Sequence, residues 1–426
     1  MIINLLVIGF TLFGVKEILF KHNGIKSSLH WIIMAFVFGY RTFELVPRIP
    51  FHPIEILVYA TIIRIIISGA IKYGKMPIAV TALSIFYVTF FVIDLLTRYN
   101  LFIVNEFKNA FLLIFVCFIT QHIHFHKDYI IRLLKTYLFA VSAISILGII
   151  EYLFPSFMSS LFGFEIEVES MYVGSIFSRL AFLFWGSHLA ANLIPPVFPI
   201  LLFLKAEKDP IVNNNYILTL VIIINLIAIY LSGNRISWLI LTIFLLGTIL
   251  QYRSSLIPFM KTYAILVTMA FVAYIYSQPV EGRYISTFKA LTGEIDTRYD
   301  SSGGARMSRA LIAIDSIVEK PLGAGWASQG WVHSDVLQIG ASIGVIPGLI
   351  LFLGPVFLLF RLYKFYLLAS PDEKTVIFIC CELLIFVIIS LSLNGNILKV
   401  QTGVPLFVLW AITDGYYGSY NRIRSN

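Results

Sequence analysis

Residues 278–344 read QPVEGRYISTFKALTGEIDTRYDSSGGARMSRALIAIDSIVEKPLGAGWASQGWVHSDVLQIGASIG, and they form the one long polar interval in a chain that is otherwise nearly all hydrocarbon. The interval carries several arginines, a glycine-rich turn and, near its end, His333 at the mouth of a new apolar run. A second polar point, Ser232-Gly233-Asn234-Arg235, separates two earlier apolar runs. These two segments are the natural candidates for a functional site.

The composition excludes an ordinary soluble domain. Of 426 residues, 59% are hydrophobic and only 13% are charged, and the mean hydropathy is +0.88. Soluble proteins carry about 25% charged residues. The formal net charge of +8 is spread over short loops, so it does not indicate a nucleic-acid partner. The three cysteines fall inside apolar runs and predict neither a disulfide framework nor a metal site.

Apolar runs of roughly 20 residues recur along the chain, and each can cross about 30 Å of hydrocarbon as a helix. The sequence therefore predicts an all-α fold, a polytopic transmembrane helix bundle of about 12–14 spans with one long extracytoplasmic loop. The expected organisation is transmembrane helices 1 to about 10 over residues 1–277, the loop over 278–335, and C-terminal transmembrane helices over 336–426. The candidate spans are 2–20, 29–46, 53–72, 77–97, 104–122, 129–153, 180–204, 214–232, 236–252, 256–277, 336–361, 374–393 and 400–417.

Lysine and arginine in alternate short loops orient these spans. One set of loops holds most of them, and we expect it to face the cytoplasm of a bacterial inner membrane, together with the C-terminus. The other set, which includes the 232–235 turn and the 278–335 loop, should face outward. The basic loops contain Lys21, Lys26, Lys72, Lys75, Lys127, Arg132, Lys205, Lys208, Arg253, Arg361, Lys364, Lys374, Arg422 and Arg424.

The polar interval contains a predicted amphipathic helix from Met307 to Lys320. Pro321 and the following glycines end it. Arg306 lies in its first turn, where backbone N–H groups also point toward a bound anion. The expected apolar arc, facing the outer membrane surface or the mouth of the bundle, consists of Met307, Ala310, Leu311, Ile314, Ile317 and Val318.

Three segments of the chain resemble the O-antigen ligase and O-antigen polymerase superfamily. Arg235-Ile236-Ser237-Trp238-Leu239 has that family's arginine, three residues and leucine at the outer start of a span. The stretch from Arg306 to Pro321-Leu322-Gly323-Ala324-Gly325 has its arginine, amphipathic helix, proline and glycine turn. His333-Ser334, nine residues and then Gly344 has its histidine, small polar residue and glycine. The resemblance covers roughly residues 180–360.

This resemblance implies an inverting, metal-independent membrane glycosyltransferase that takes a glycan from undecaprenyl diphosphate and passes it to a sugar hydroxyl at the extracytoplasmic face. Arg235 and Arg306 would bind the diphosphate, since a guanidinium grips phosphate oxygens bidentately and stays charged. His333 would be the general base, since its ordinary pKa lies near working pH. The implied partners are the undecaprenyl-diphosphate-linked oligosaccharide, a glycan or lipid-core acceptor and the lipid bilayer, with no cofactor. Possible additional substrate contacts are Arg309, Arg179 and His188.

Several alternatives stay open at this point. Polymerisation of a surface polysaccharide (O-antigen, capsule or exopolysaccharide) is favoured over ligation to the lipid A-core, because the 278–335 loop is slightly more acidic than basic and a ligase acceptor is phosphorylated. Val345–Gly348 also lacks the threonine pair of some ligases, and Ala310 stands where the family often has an aromatic residue. A flippase or transporter of lipid-linked oligosaccharide and a non-catalytic scaffold are the alternatives of other classes.

Charged residues near or within the spans have structural explanations as well. An arginine at a span end often only reaches the lipid head groups. Arg64 and Glu382 lie within spans at similar depth, so they are predicted to form an ion pair. Asp94, nearer the outer end of its span, is predicted to be merely interfacial.

Overall fold

The structure of the protein, a computed structural model, is predominantly helical. It describes residues 2–38, 43–46, 49–69, 76–98, 101–162, 169–170, 178–179, 192–232, 234–251, 303–326, 328, 332, 334–393 and 400–425. The helices are α1 (Ile2–Phe20), α2 (Gly24–Met34), α3 (Pro53–Ile67), α4 (Ile78–Arg98), α5 (Leu101–Gln121), α6 (Lys127–Leu153), α7 (Pro155–Phe162), α8 (Val197–Ala206), α9 (Pro210–Asn213), α10 (Asn215–Ser232), α11 (Arg235–Gln251), α12 (Gly303–Glu319), α13 (Asp335–Ile343), α14 (Val345–Leu368), α15 (Pro371–Leu393) and α16 (Val400–Ser425).

Two short antiparallel ribbons complete the described part of the chain. In the first, β1 (Phe43–Val46) pairs with β2 (Ile49–Phe51), and in the second, β3 (Glu169–Ser170) pairs with β4 (Ser178–Arg179). The first ribbon leads directly into α3, whose start the sequence specifies closely. Pro53 occupies the first helical turn, and His52 and Glu55 form a reciprocal capping box.

Six of the described helices are long and apolar enough to cross a membrane, namely α4, α5, α6, α10, α14 and α15. Their surfaces agree with this, because large apolar side chains such as Ile78, Leu96, Leu220 and Phe360 are exposed along them. In water such surfaces would be unfavourable, whereas lipid chains cover them without cost. The chain is therefore a multi-pass helical membrane protein.

Two predicted spans have a different structure. Residues 29–46 are not a continuous span, because α2 passes into a 3₁₀ turn (Ala35–Phe38) and residues 43–46 form β1. The charges of Arg41 and Glu44 oppose burial of that stretch in hydrocarbon. Residues 336–361 are not one helix either, since Gly344, with φ +110°, separates α13 from α14.

Two other predicted spans are described in part or not at all. For 180–204, the described residues form turns at 192–196 followed by α8, and residues 180–191 lie outside the described part. The 256–277 span lies outside the described residues altogether.

The helices pack into one bundle around a core of buried leucine, isoleucine and aromatic side chains. α5 lies along α16, and α14 lies between α15 and α4. Close approach is aided by small residues: a Cβ at Gly354 on α14 would lie 3.0 Å from the ring of Trp410 on α16. Such small residues let neighbouring backbones approach in membrane bundles.

Contacts between loops define one end of this bundle, here called the basic end. The Tyr129 hydroxyl donates to the Lys26 carbonyl oxygen (2.6 Å), and the Arg64 guanidinium donates to the Lys21 carbonyl oxygen (3.5 Å). Further pairs extend the set, each joining loops that the sequence assigns to one side: Lys127–Glu207 (2.6 Å), Phe125–Ser419 (3.2 Å) and Arg361–Tyr417 (5.9 Å to the ring centroid). The basic loops that these contacts join thus meet at one end of the described part of the molecule.

The predicted ion pair between Arg64 and Glu382 is not formed. Arg64 reaches the end of α1, as described above. Glu382 is buried on α15, beside Gly247 of α11. Its Oε1 lies 3.1 Å from where a Cβ atom on Gly247 would be. Similar depth in two spans was not enough to place them together, because depth gives no information about which helices are neighbours.

Candidate functional site

The turn before Arg235 is fixed by the side chains of its own residues. Ser232 Oγ donates to the Ile229 carbonyl oxygen (2.6 Å), and Asn234 Oδ1 accepts from the Ile236 N–H (3.0 Å), which caps α11. Asn234 Nδ2 donates to Asn192 Oδ1 (2.8 Å), at the start of the turns that lead into α8. Arg235 is the first residue of α11, and its backbone is therefore held in a defined position.

α12 carries Arg306 in its first turn and packs on α13 through small residues. Ala313 is fully buried and forms a small cluster with Val332 and Ala341, against which Ile317 packs. Arg309 is exposed. The single apolar arc expected from the sequence is split in the structure. Ile317 packs at α13 together with Ala313, which was not part of the predicted arc, whereas Leu311, Ile314 and Val318 are exposed.

The two glycine motifs of the polar interval pair with one another. The Ala324 and Gly325 N–H groups donate to the carbonyl oxygens of Ala341 (3.0 Å) and Ser342 (2.6 Å) at the end of α13. The Val345 N–H donates in return to the Pro321 carbonyl oxygen (3.0 Å). Residues 321–325 and 341–345 therefore form one backbone-bonded unit, here called the motif platform.

Glycine is required where the two halves of the motif platform meet. Gly323 has φ +94°, and a Cβ there would lie 2.6 Å from Gly344 N and 2.6 Å from Ser342 O. Gly344 has φ +110°, and its Cβ would lie 3.1 Å from the Pro321 and Leu322 carbonyl oxygens. These are backbone atoms, which a side chain cannot displace without breaking the pairing.

The residues on both sides of His333 are bonded to α13. The Val332 N–H donates to Gln338 Oε1 (2.7 Å), and Gln338 is buried. Ser334 caps the helix, with its Oγ accepting from the Leu337 N–H (3.3 Å). His333 itself lies outside the described residues.

A long-range bond attaches the motif platform to the first half of the chain. The backbone N–H of Trp326 donates to Asp94 Oδ2 on α4 (2.5 Å), and both residues are buried. The Trp326 ring meets Tyr87 of α4 and Phe107 of α5 edge-on, with ring centroids 5.4 Å and 6.1 Å apart. The loop after α12 is thus held by α4 and α5, two membrane-spanning helices.

Both motif segments lie at the end of the bundle opposite the basic end. α5 runs toward the basic end, because Gln121 at its C-terminus bonds to Asp414 (3.1 Å) near Tyr417. The adjoining end of α4, with Asp94, is therefore at the opposite end. α10 starts at the basic end, where Asn215 accepts from Lys205 Nζ (2.9 Å), and its 18 residues carry the chain about 27 Å to Ser232. We call this opposite end the motif end.

The remaining predicted site residues either lie on other elements or fall outside the described part of the structure. Arg179 lies on β4, where it is paired in register with Glu169. His188 lies outside the described residues. For Arg235 and Arg306 the structure gives the backbone position within α11 and α12. α11 and α13 both contact α15, which is the described link between the two motif segments.

Three residues that organise this region were missed at the sequence level. Asp94 was interpreted as merely interfacial, and Asn192 and Gln338 were not singled out. A polar side chain within or beside a predicted span is the one signal that marks all three, because such groups are costly in lipid unless they are paired. Within the described ranges, no group of three or more histidine, cysteine, aspartate or glutamate side chains is placed to hold a metal ion.

Comparison with known proteins adds no assignment. No protein-family model matches the chain, and no curated protein matches it.

Proposed function

We propose that this protein is a membrane glycosyltransferase of the O-antigen polymerase and ligase type. It would transfer a glycan from undecaprenyl diphosphate to a sugar hydroxyl at the extracytoplasmic face, during polymerisation of a surface polysaccharide. The observation that carries the proposal is the motif platform. The proline–glycine motif and the glycine that follows His333 are joined backbone to backbone, so the helix that carries Arg306 and the segment that carries His333 are parts of one unit.

The arrangement of the motif end also supports this assignment. The turn before Arg235 and the motif platform lie at the same end of the bundle, away from the lysine-rich loops. With the basic end in the cytoplasm, as the positive-inside rule predicts, the motif end would face outward. An amphiphilic donor would then keep its prenyl chain among the exposed apolar helix surfaces and present its diphosphate at the motif end.

The proposed reaction is a single displacement. The acceptor hydroxyl oxygen attacks the anomeric carbon while the bond from that carbon to the diphosphate oxygen breaks, and the configuration inverts. The leaving diphosphate keeps the electron pair, and Arg235 and Arg306 stabilise its charge. The hydroxyl proton passes to the His333 imidazole. Two guanidinium groups supply the positive charge, so the mechanism uses no metal. Arg309, Arg179 and His188 are further candidates for contacts to the glycan.

The test is transfer by the purified protein in liposomes. Undecaprenyl-diphosphate-linked oligosaccharide is offered with either the same oligosaccharide or a phosphorylated lipid core as acceptor. We expect elongation of the oligosaccharide, and turnover that is unchanged by a chelator. Arg235→Ala, Arg306→Ala and His333→Ala should each lower kcat about 100-fold or more. Lys320→Ala, at an exposed cation directly after the same helix, is the matched control and should retain activity.

The outcomes separate the alternatives. Transfer to the lipid core but not to the oligosaccharide would show that the protein is a ligase and not a polymerase. Movement of the lipid-linked oligosaccharide across the bilayer without any new glycosidic bond would contradict the enzyme and indicate a flippase. Full activity in all three variants would contradict the roles proposed for Arg235, Arg306 and His333.

A further inference from the structure

Asp94 is an acidic residue inside an apolar span, and its carboxylate holds a loop that lies 232 positions further along the chain. The side chain accepts the Trp326 N–H at 2.5 Å, and Asp94 is only 4% exposed. It precedes the end of α4 at Arg98 by four residues, or about 6 Å along the helix. The bonded loop therefore enters the edge of the membrane-spanning region rather than lying above it.

A carboxylate at this depth is costly, and it is tolerated only with strong partners. A hydrogen bond from a backbone N–H to an ionised acceptor is roughly twice as strong as one between neutral groups. The bond also satisfies the main-chain N–H of Trp326, a residue that is fully buried and so away from bulk solvent. Asp94 is thus bound to a defined backbone atom and does not simply face the head groups.

Hydrogen bonds connect the residue before Trp326 to the described residues that flank His333. Gly325, the neighbouring residue, donates its N–H to the carbonyl oxygen of Ser342 on α13 (2.6 Å). α13 in turn holds the Val332 N–H through Gln338. A shift of the loop at Trp326 would therefore be passed to α13 through backbone hydrogen bonds, and from α13 to both neighbours of His333.

We propose that Asp94 is a positioning residue for the active site: by holding the Trp326 N–H, it fixes the motif platform and, through it, the His333 segment relative to the bundle. This inference rests on the proposed glycosyltransferase function for its catalytic consequence. Asp94 does not touch the reacting atoms in this scheme. Its loss should lower kcat while leaving the KM for the lipid-linked donor nearly unchanged.

The experiment compares the full-length protein with Asp94→Ala and Asp94→Asn in lipid nanodiscs. Asparagine keeps an acceptor oxygen, whereas alanine removes it. Hydrogen exchange at the Trp326 amide reports the bond directly, and transfer of glycan from undecaprenyl diphosphate reports its consequence. Asp315→Ala is the matched control, because Asp315 is an exposed carboxylate on α12.

We expect the Trp326 amide to exchange about 10- to 100-fold faster in Asp94→Ala, the range for a lost hydrogen bond to a charged group. In the same variant kcat should fall at least about tenfold with KM within about twofold, and Asp94→Asn should restore most of both properties. Asp315→Ala should match the native protein in exchange and turnover.

Opposite results would overturn the inference. Rapid exchange of the Trp326 amide in the native protein would do so even if Asp94→Ala failed to fold. Unchanged exchange of the Trp326 amide in a folded Asp94→Ala variant would show that Asp94 does not hold this amide. Faster exchange with unchanged kcat would show that the hydrogen bond has no role in catalysis. If the native protein showed no glycan transfer, the proposed function would fall, while the exchange measurement would still decide whether the anchor exists.

Discussion

Gly323 and Gly344 meet in the motif platform at a contact too close for an added Cβ atom. Each has a positive φ, and each would direct a Cβ into backbone atoms of the other segment. Substitution therefore affects both segments at once, although they are 21 positions apart. At the sequence level these glycines indicated only a turn and the end of a motif.

Gly323→Ala should disrupt the motif platform. The left-handed backbone alone costs an L-residue about 1–2 kcal/mol, and the Cβ would collide with Gly344 N and Ser342 O as well. We expect a lower thermal unfolding temperature in detergent and faster hydrogen exchange over residues 321–326 and 341–345.

Gly9→Ala is the control for this substitution. A Cβ at Gly9, in the middle of α1, would have no neighbour within 4 Å. Since alanine is also the better helix former, this variant should equal or exceed the native stability. Equal stability of the two variants would show that the contact between Gly323 and Gly344 is absent in solution.

Residue-level inference from sequence succeeded where local chemistry is sufficient. A polar turn at residues 232–235 with a helix after it was predicted, and α11 begins at Arg235; the cap that Asn234 provides was not predicted. Inference from sequence failed for Asp94, because nothing near Asp94 in the sequence identifies Trp326 as its partner. Partners more than two hundred positions apart are determined by helix packing, which a single sequence does not reveal.

At the scale of the element, α12 has two different apolar faces. One face, with Ala313 and Ile317, lies against α13. The other is exposed in the folded chain, and Leu311, Ile314 and Val318 are 44%, 43% and 76% exposed. The loop that follows α12 is bonded to Asp94 near the end of the apolar helix α4, so we expect the exposed apolar face to lie close to the lipid head groups.

This exposed face should therefore enter the extracytoplasmic head-group region of the same membrane. A fluorescent probe on Val318→Cys should be quenched strongly by lipids brominated near the head group. The same probe on Glu319→Cys, one position further and exposed on the polar side, should be quenched much less. Equal quenching at the two positions would place α12 away from the bilayer.

Hydropathy located most of the described elements but misjudged two of them. α5, α6 and α15 begin and end within a few residues of their predicted bounds. The 336–361 stretch is mostly apolar on both sides of Gly344, so hydropathy did not separate α13 from α14. The break at Gly344 accompanies the bond from the Val345 N–H to Pro321, which is distant in sequence. The prediction for residues 29–46 was wrong for the opposite reason, since the span was extended over Arg41 and Glu44 near the end of a short apolar run.

At the scale of the whole molecule, the alternation of basic loops was the most informative property of the sequence. Loops assigned to one side from their lysines and arginines are joined by direct contacts, from Lys26–Tyr129 to Arg361–Tyr417. The sequence could not indicate which helices neighbour one another, and the Arg64–Glu382 pair was wrong for that reason.

The orientation of the bundle is open to a direct test with a matched pair of cysteines. Asp372→Cys places a thiol at the exposed start of α15, at the basic end, and Asp315→Cys places one on α12, at the motif end. A membrane-impermeant maleimide that enters the periplasm should label Asp315→Cys in intact cells and Asp372→Cys only after lysis. The native cysteines Cys117 and Cys380 are buried and Cys381 is only partly exposed, so background labelling should be low. The reverse labelling pattern would show the opposite orientation in the membrane and would contradict an extracytoplasmic site.

The bond between Asp94 and Trp326 also has a consequence for the order of synthesis. The ribosome delivers Asp94 to the membrane 232 residues before the Trp326 amide that it will bind, so the nascent bundle lacks this hydrogen bond for most of translation. Because a buried carboxylate is costly in lipid and each hydrogen bond to it lowers that cost, the arrival of the later segment would stabilise α4 at its final depth. Completion of the motif end would then be among the last steps of biogenesis, and a chain truncated before residue 326 would leave its fourth helix incompletely seated.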